Sequence, residues 1–224
     1  MDFDSARFNM IEQQIRPWNV LNQDILDLLM IVKREQFVPS AYKAMAFTDM
    51  ELPLTVDGKA SGQTMLSPKI EARILQGLAV RKHEVVIEVG AGSGYMAALL
   101  ASRASKLLSF EIDSRLASFA LTNLKTAGFG NIEVVAADAM TTDSRKRFSG
   151  ADAIVLSGSV EVVPEFMLNA LNVGGRLAAI VGQAPVMNAL IMTKVSSSEF
   201  STEILFEAVQ IELQNFPRQP RFAF

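Results

Sequence analysis

The stretch VIEVGAGSGY at residues 86–95 carries the densest chemical signal in the chain. An apolar run there delivers Glu88 and then Gly90, Gly92 and Gly94. Glycine is needed where a backbone turns with positive φ, or where a ligand must approach the main chain without meeting a Cβ. The spacing is G-x-G-x-G. A dinucleotide fingerprint would put its third glycine at the position of Tyr95, and no Walker lysine follows Gly94. Glu111 ends the next apolar run, 17 positions after Gly94, where its carboxylate is placed to accept both hydroxyl protons of a ribose. Asp138 ends a third run, AADA, where it could accept from an adenine amino group. Together these residues outline an adenosine with a small charged extension, and S-adenosylmethionine fits that outline best.

Gathering three run ends into one crevice requires that the runs be neighbouring parallel strands. From Ser67 onward the pattern supplies them. Apolar strands at about 84–89, 107–112, 132–137, 152–157 and 176–181 are interleaved with amphipathic helices near 94–103, 114–127 and 164–171. Ser67-Pro68 has the form of an N-cap followed by proline at the first helical position, with Ile70, Ile74, Leu75 and Leu78 on one face. Gly174-Gly175 reads as a turn, and the runs 188–196 and 202–213 flank a serine-rich turn, which predicts an antiparallel hairpin on the sheet's edge. The expected fold class is therefore α/β, a doubly wound and mostly parallel sheet closed by a reversed hairpin, as in many methyl-transferring enzymes. Residues 1–60 differ. A first helix should stop at Arg16 because Pro17 follows. A second is marked by Asn22 as its cap, with Ile25, Leu28, Leu29 and Val32 on one face. The division drawn is a helical arm at 1–60 and a cofactor-binding domain at 61–224.

Composition narrows the chemistry further. The 224 residues are half hydrophobic and carry a net charge of -3, so the chain is globular and offers no bulk attraction for nucleic acid or anionic lipid. The absence of cysteine removes disulfides, thiolate metal sites and thiol nucleophiles. His83 is the sole histidine, which leaves no multi-histidine metal centre and argues against a histidine-based triad; it precedes the first strand and is given no role. No stretch reaches the roughly 18 apolar residues of a membrane span, and the acidic start MDFDSARFNM lacks a secretory core, so a cytoplasmic protein with no bound metal is expected.

Over residues 10–209 the chain resembles the protein-L-isoaspartate O-methyltransferase family. The matching stretches include QQIRPWNVLNQDIL, AFTDMELPL, SGQTMLSP, the glycine loop, LSGSVEVVP and NVGGRLAAIVG; Gly62-Gln63-Thr64 ahead of a Pro68 helix is the most specific. The resemblance implies a Rossmann-like methyltransferase with a seven-stranded sheet. It implies S-adenosylmethionine as cofactor and, as partner, a protein or peptide whose isoaspartyl carboxylate is esterified as a first step of repair. Carried over, it places cofactor contacts at Gly90, Gly92, Gly94, Glu111 and Asp138, and an active-site mouth at Thr64 to Ser67 with Gly158 and Ser159; Glu88, at its strand end, is a further cofactor-binding candidate, read from its charge as a balance for the donor's ammonium or sulfonium. Thr64 and Ser67 are the candidate catalytic residues. The family pattern Gly-Gln-Thr-Ile-Ser-x-Pro has its serine where this chain has Leu66, with a serine one place later at Ser67; a family Gly-Asp-Gly is here Ala137-Asp138-Ala139. At this point two alternatives stay open: a methyltransferase with another acceptor, and a silent protein that binds the cofactor without turnover.

Carboxylate methylation needs no general base, since an aspartyl-type carboxyl is ionised at neutral pH. Rate is expected from alignment and water exclusion. Asp49 and Glu51, before Pro53, would repel an anionic substrate and are expected to be solvated or hydrogen-bonded within their loop. The tail NFPRQPRFAF is expected to pack back over the arm or onto a second subunit.

Overall fold

The computed structural model describes residues 2–220, so the last four residues of the aromatic tail lie outside the described ones. The arm opens with α1 (Phe3–Met10), capped by the Asp2 carboxylate. It widens into a π turn over Ile11–Ile15 and tightens into a 3₁₀ turn at Arg16–Trp18. Pro17 therefore does not end the helix. It sits in the opening positions of the tighter turn, where its missing N–H costs nothing, and the chain leaves at Asn19 with φ 62°. α2 (Gln23–Ile31) starts as expected, the Asn22 side chain accepting from Asp24 N at 2.9 Å.

A hairpin of β1 (Leu52–Val56) and β2 (Lys59–Met65) follows. The boundary at residue 60 falls inside it. The alternating part then runs α3 (Pro68–Leu78), β3 (Val85–Val89), α4 (Tyr95–Ala101), β4 (Lys106–Glu111), α5 (Ser114–Thr126) and β5 (Ile132–Ala136). It continues through a short α6 (Thr142–Arg145), β6 (Ala151–Val160), α7 (Glu165–Ala170) and β7 (Leu171–Gln183). β8 (Val186–Lys194) and β9 (Phe200–Glu207) form the closing hairpin. Gly174-Gly175 is not a free turn. It lies within β7, where the register against β6 slips between Leu171 and Arg176.

The large sheet has seven strands in the order β5-β4-β3-β6-β7-β8-β9. Pairing is parallel as far as β7 and antiparallel beyond it. Winding reverses at β3, the place where open α/β sheets form a ligand crevice at their carboxyl edge. Both faces are covered. Val86, Leu107, Ala153 and Val155 face one apolar layer, which Met10, Ile15 and Leu29 of the arm share, while Ile87, Leu108, Ile154 and Leu156 face the other. That alternation is the two-residue period of a strand buried on both sides. Arg176 fastens β7 to the end of α3: its guanidinium donates to Leu78 O at 2.7 and 2.9 Å and to Glu84 at 2.7 Å. Among the described residues no helix is long and apolar enough to cross a membrane.

Candidate active site

The parallel strands end at one rim. Past β3, Gly90 N and Ala91 N donate back to Phe110 O at 2.8 and 3.2 Å, folding the loop over the end of β4. Holding it there takes φ of +93°, +53° and +85° at Gly90, Gly92 and Gly94, values at which a side chain strains the backbone. Gly94 then starts α4 so close to α5 that a Cβ would lie 3.2 Å from Ala120 O.

Glu111 is buried under this loop. Its Oε2 accepts from Gly92 N at 2.9 Å and its Oε1 from Asp113 N at 3.0 Å. A carboxylate offers about four lone-pair positions, so capacity remains for a ligand in the cleft that Glu111 lines. Burial pushes its pKa up, against those two N–H donors. Asp138 follows β5 on the same rim and accepts from Met140 N at 2.7 Å. The cleft spans about 700 Å³, open solvent at its mouth included, over apolar walls from Val89, Phe110 and Leu116.

Glu88 stands one step back. It is fully buried, and it accepts from Ser109 Oγ at 2.6 Å and Ser157 Oγ at 3.0 Å. Ser157 is the member of that group that lines the cleft. Burial pushes the Glu88 carboxyl up to about 7, the two hydroxyls pulling the other way and nearby Glu111 adding to the rise.

The fourth wall is a strap that sequence reading missed. Ser159 N donates to Ile211 O at 2.9 Å and Leu213 N to Ser159 O at 2.8 Å, so residues 211–213 extend alongside β6. Leu213 crosses the glycines: a Cβ on Gly90 or Gly158 would come within 3.1 or 2.9 Å of its side chain. Phe216 anchors the strap in the core, and Asn215 Nδ2 donates to Asp138 Oδ2 at 2.7 Å. Residues 208–213, expected to prolong the closing hairpin, leave it when β9 ends at Glu207, and Phe216 of the tail packs into the core layer away from the arm rather than over it. Gly158 and Ser159, expected at the mouth, serve as the strap's seat. Because Asn215 is exposed, Asn215→Ala should cost the fold no more than roughly 1 kcal/mol, the value of one hydrogen bond; urea melts of the variant check this.

Thr64 and Ser67 separate. Thr64 lines the cleft with Gly90, Glu111 and Asp138, and its Oγ1 donates to Glu51 at 2.6 Å. Asp49 is paired with Lys69 at 2.6 Å, so both loop acids have partners. Ser67 occupies the N-cap position of α3 with extended backbone, yet its hydroxyl makes no cap bond and is buried without a partner. It borders a different groove, with Trp18, Asp49 and Lys69. Leu66, 6% exposed, faces a small pocket behind the glycine loop with Glu71 and Ser93.

The model of the Protein-L-isoaspartate(D-aspartate) O-methyltransferase family matches residues 5–215. The chain belongs to this family. Relatives called protein-L-isoaspartate O-methyltransferase include one from Herpetosiphon aurantiacus, 36% identical, covering 81% of this chain and 78% of its own. Another, from Methanoculleus marisnigri, is 37% identical over 79% of this chain and 77% of its own. Among solved structures, a Plasmodium falciparum chain described as a protein-L-isoaspartate O-methyltransferase in complex with S-adenosyl-L-homocysteine superposes with a TM-score of 0.79. At 18% identity it covers 96% of this chain and 99% of its own, a likeness of fold. The methyltransferase family's matched span closes at Asn215, within the strap.

Proposed function

We propose that the protein is an S-adenosylmethionine-dependent carboxyl O-methyltransferase that esterifies isoaspartyl side chains in proteins or peptides. One observation carries the reading: a positive-φ glycine loop, Glu111 and Asp138 meet in a single cleft with Thr64 at its rim. The residues suit the cofactor. Gly90 and Gly92 hold the loop's main chain at the cleft wall with φ values that suit glycine, Glu111 keeps lone pairs for a ribose diol, and Asp138 offers an acceptor to an adenine amine. When bound, S-adenosylmethionine supplies an electrophilic methyl on a sulfonium.

The chain's own task is placement. The acceptor carboxylate is already ionised, so no residue has to remove a proton. Alignment in a near-attack geometry is worth at most about 7 to 11 kcal/mol. Val89, Phe110 and Leu213 dry the cleft, which strengthens every polar contact inside it. With the Thr64 hydroxyl committed to Glu51, Thr64 contributes shape at the rim more than a donated proton.

Incubation with labelled donor and an isoaspartyl peptide should give a base-labile methyl ester, while the aspartyl isomer gives none. No transfer above buffer would reject the repair activity. A second reading has one observation behind it: Leu66 puts an apolar side chain where the family pattern has a hydroxyl. Transfer confined to other carboxylates or small acceptors would select it.

A further inference from the structure

Resting on that methyl-transfer reading, we infer that Arg34 is a positioning residue for the reaction, holding the Leu66–Ser67 turn from the N-terminal arm. Its guanidinium is fully buried. Nη2 donates to Leu66 O at 2.6 Å, Nε donates to Ala46 O at 3.0 Å, and Nη1 is bonded to the Glu71 carboxylate of α3. The same group lies 5.0 Å from the centre of the Tyr95 ring, the first residue of α4 after the glycine loop. One planar fork thus ties together the arm, the approach to β1, the turn after β2 and the starts of α3 and α4.

The turn needs such an anchor because it lacks the usual one. Ser67 stands at the N-cap of α3, yet its hydroxyl makes no cap bond. The carbonyl just before it is pinned by Arg34 instead. Leu66 and Glu71 both face the small pocket behind Gly90, and Thr64, two residues upstream of Leu66, lines the donor cleft. A turn freed from Arg34 would let Thr64 shift at the rim, where the acceptor has to align with the donor's methyl, and displacements of about 1 Å cost on the order of 100-fold in rate. Lysine is no substitute, since a single ammonium cannot span a carboxylate and two carbonyls at fixed angles.

The test separates positioning from bulk stability. Removing one partner alone would strand a buried charge, so the informative variant is Arg34→Met/Glu71→Leu, because an apolar pair commonly replaces a buried ion pair without loss of stability; Arg34→Lys is its charge-retaining companion. By hydrogen exchange, amides at 64–67 should exchange on the order of tenfold faster in both variants, with those of β7 and β8 unchanged. S-adenosylhomocysteine affinity should stay within about threefold while kcat on the isoaspartyl peptide falls about 10- to 100-fold and KM moves less. Unchanged exchange at 64–67 in either folded variant overturns the inference, as does normal kcat in Arg34→Lys. If the parent itself fails to methylate isoaspartyl peptide, the proposed activity falls, and the exchange measurement still decides the role of Arg34.

Discussion

Glu111→Gln should lower S-adenosylhomocysteine affinity at least about 100-fold, roughly 3 kcal/mol, despite near-identical shape. Both carboxylate oxygens already receive backbone N–H groups, from Gly92 at 2.9 Å and Asp113 at 3.0 Å. An amide nitrogen can accept from neither. Whichever way the glutamine turns, one N–H of the loop or of the start of α5 meets another donor, and half the acceptor capacity for a ribose diol is lost. Glu111→Ala removes the diol acceptors entirely and should bind no better. Calorimetry on the folded variants measures this; affinity within threefold of the parent would show that the cleft does not hold its nucleoside through Glu111.

Glu88→Gln should make the protein more stable above neutral pH. A glutamate whose ordinary value is 4.5 and whose burial among Ser109 and Ser157 carries it to about 7 holds its proton more tightly folded than unfolded. Its contribution is therefore complete below pH 4.5 and is lost as pH rises through about 7. The full swing is about 3 kcal/mol. Glutamine keeps the size and the hydrogen bonds without the ionisation. The variant should gain up to about that amount over the parent at pH 8 and match it near pH 4. Glu71, which burial also raises to about 7 against the pull of Arg34, is raised further by the Glu88 charge, so its ionisation becomes easier in the variant and adds to the gain above neutral pH. Urea melts at the two pH values give the comparison, and an equal gain at both would exclude titration of Glu88 as the cause.

The donor side was legible because its determinants are local. Gly90, Gly92 and Gly94 must turn within five residues, and Glu111 and Asp138 each close an apolar run, so periodicity alone puts them on one rim. The pairing of β8 with β9 was legible for the same reason, but not that β9 stops at Glu207 instead of running to 213. What failed to show was non-local. Leu213 and Asn215 meet Gly158 and Asp138 across more than fifty residues, and nothing in IELQN marks a strap. Arg34 and Glu71 look like ordinary surface charges of two helical segments until packing buries both. Ser67 shows the opposite lesson: Ser-Pro fixed the start of α3 correctly, yet the hydroxyl does not bond as a cap does.

Trp18 is the only tryptophan in the chain. Its ring carries the Lys69 ammonium at 4.0 Å and meets Phe206 edge-on, beside the groove that Ser67 borders. Indole emission shifts with the position of a nearby charge, so the molecule contains its own optical probe. Anything that draws Lys69 off the ring, by entering the groove or by moving the arm, is expected to change the fluorescence without a dye.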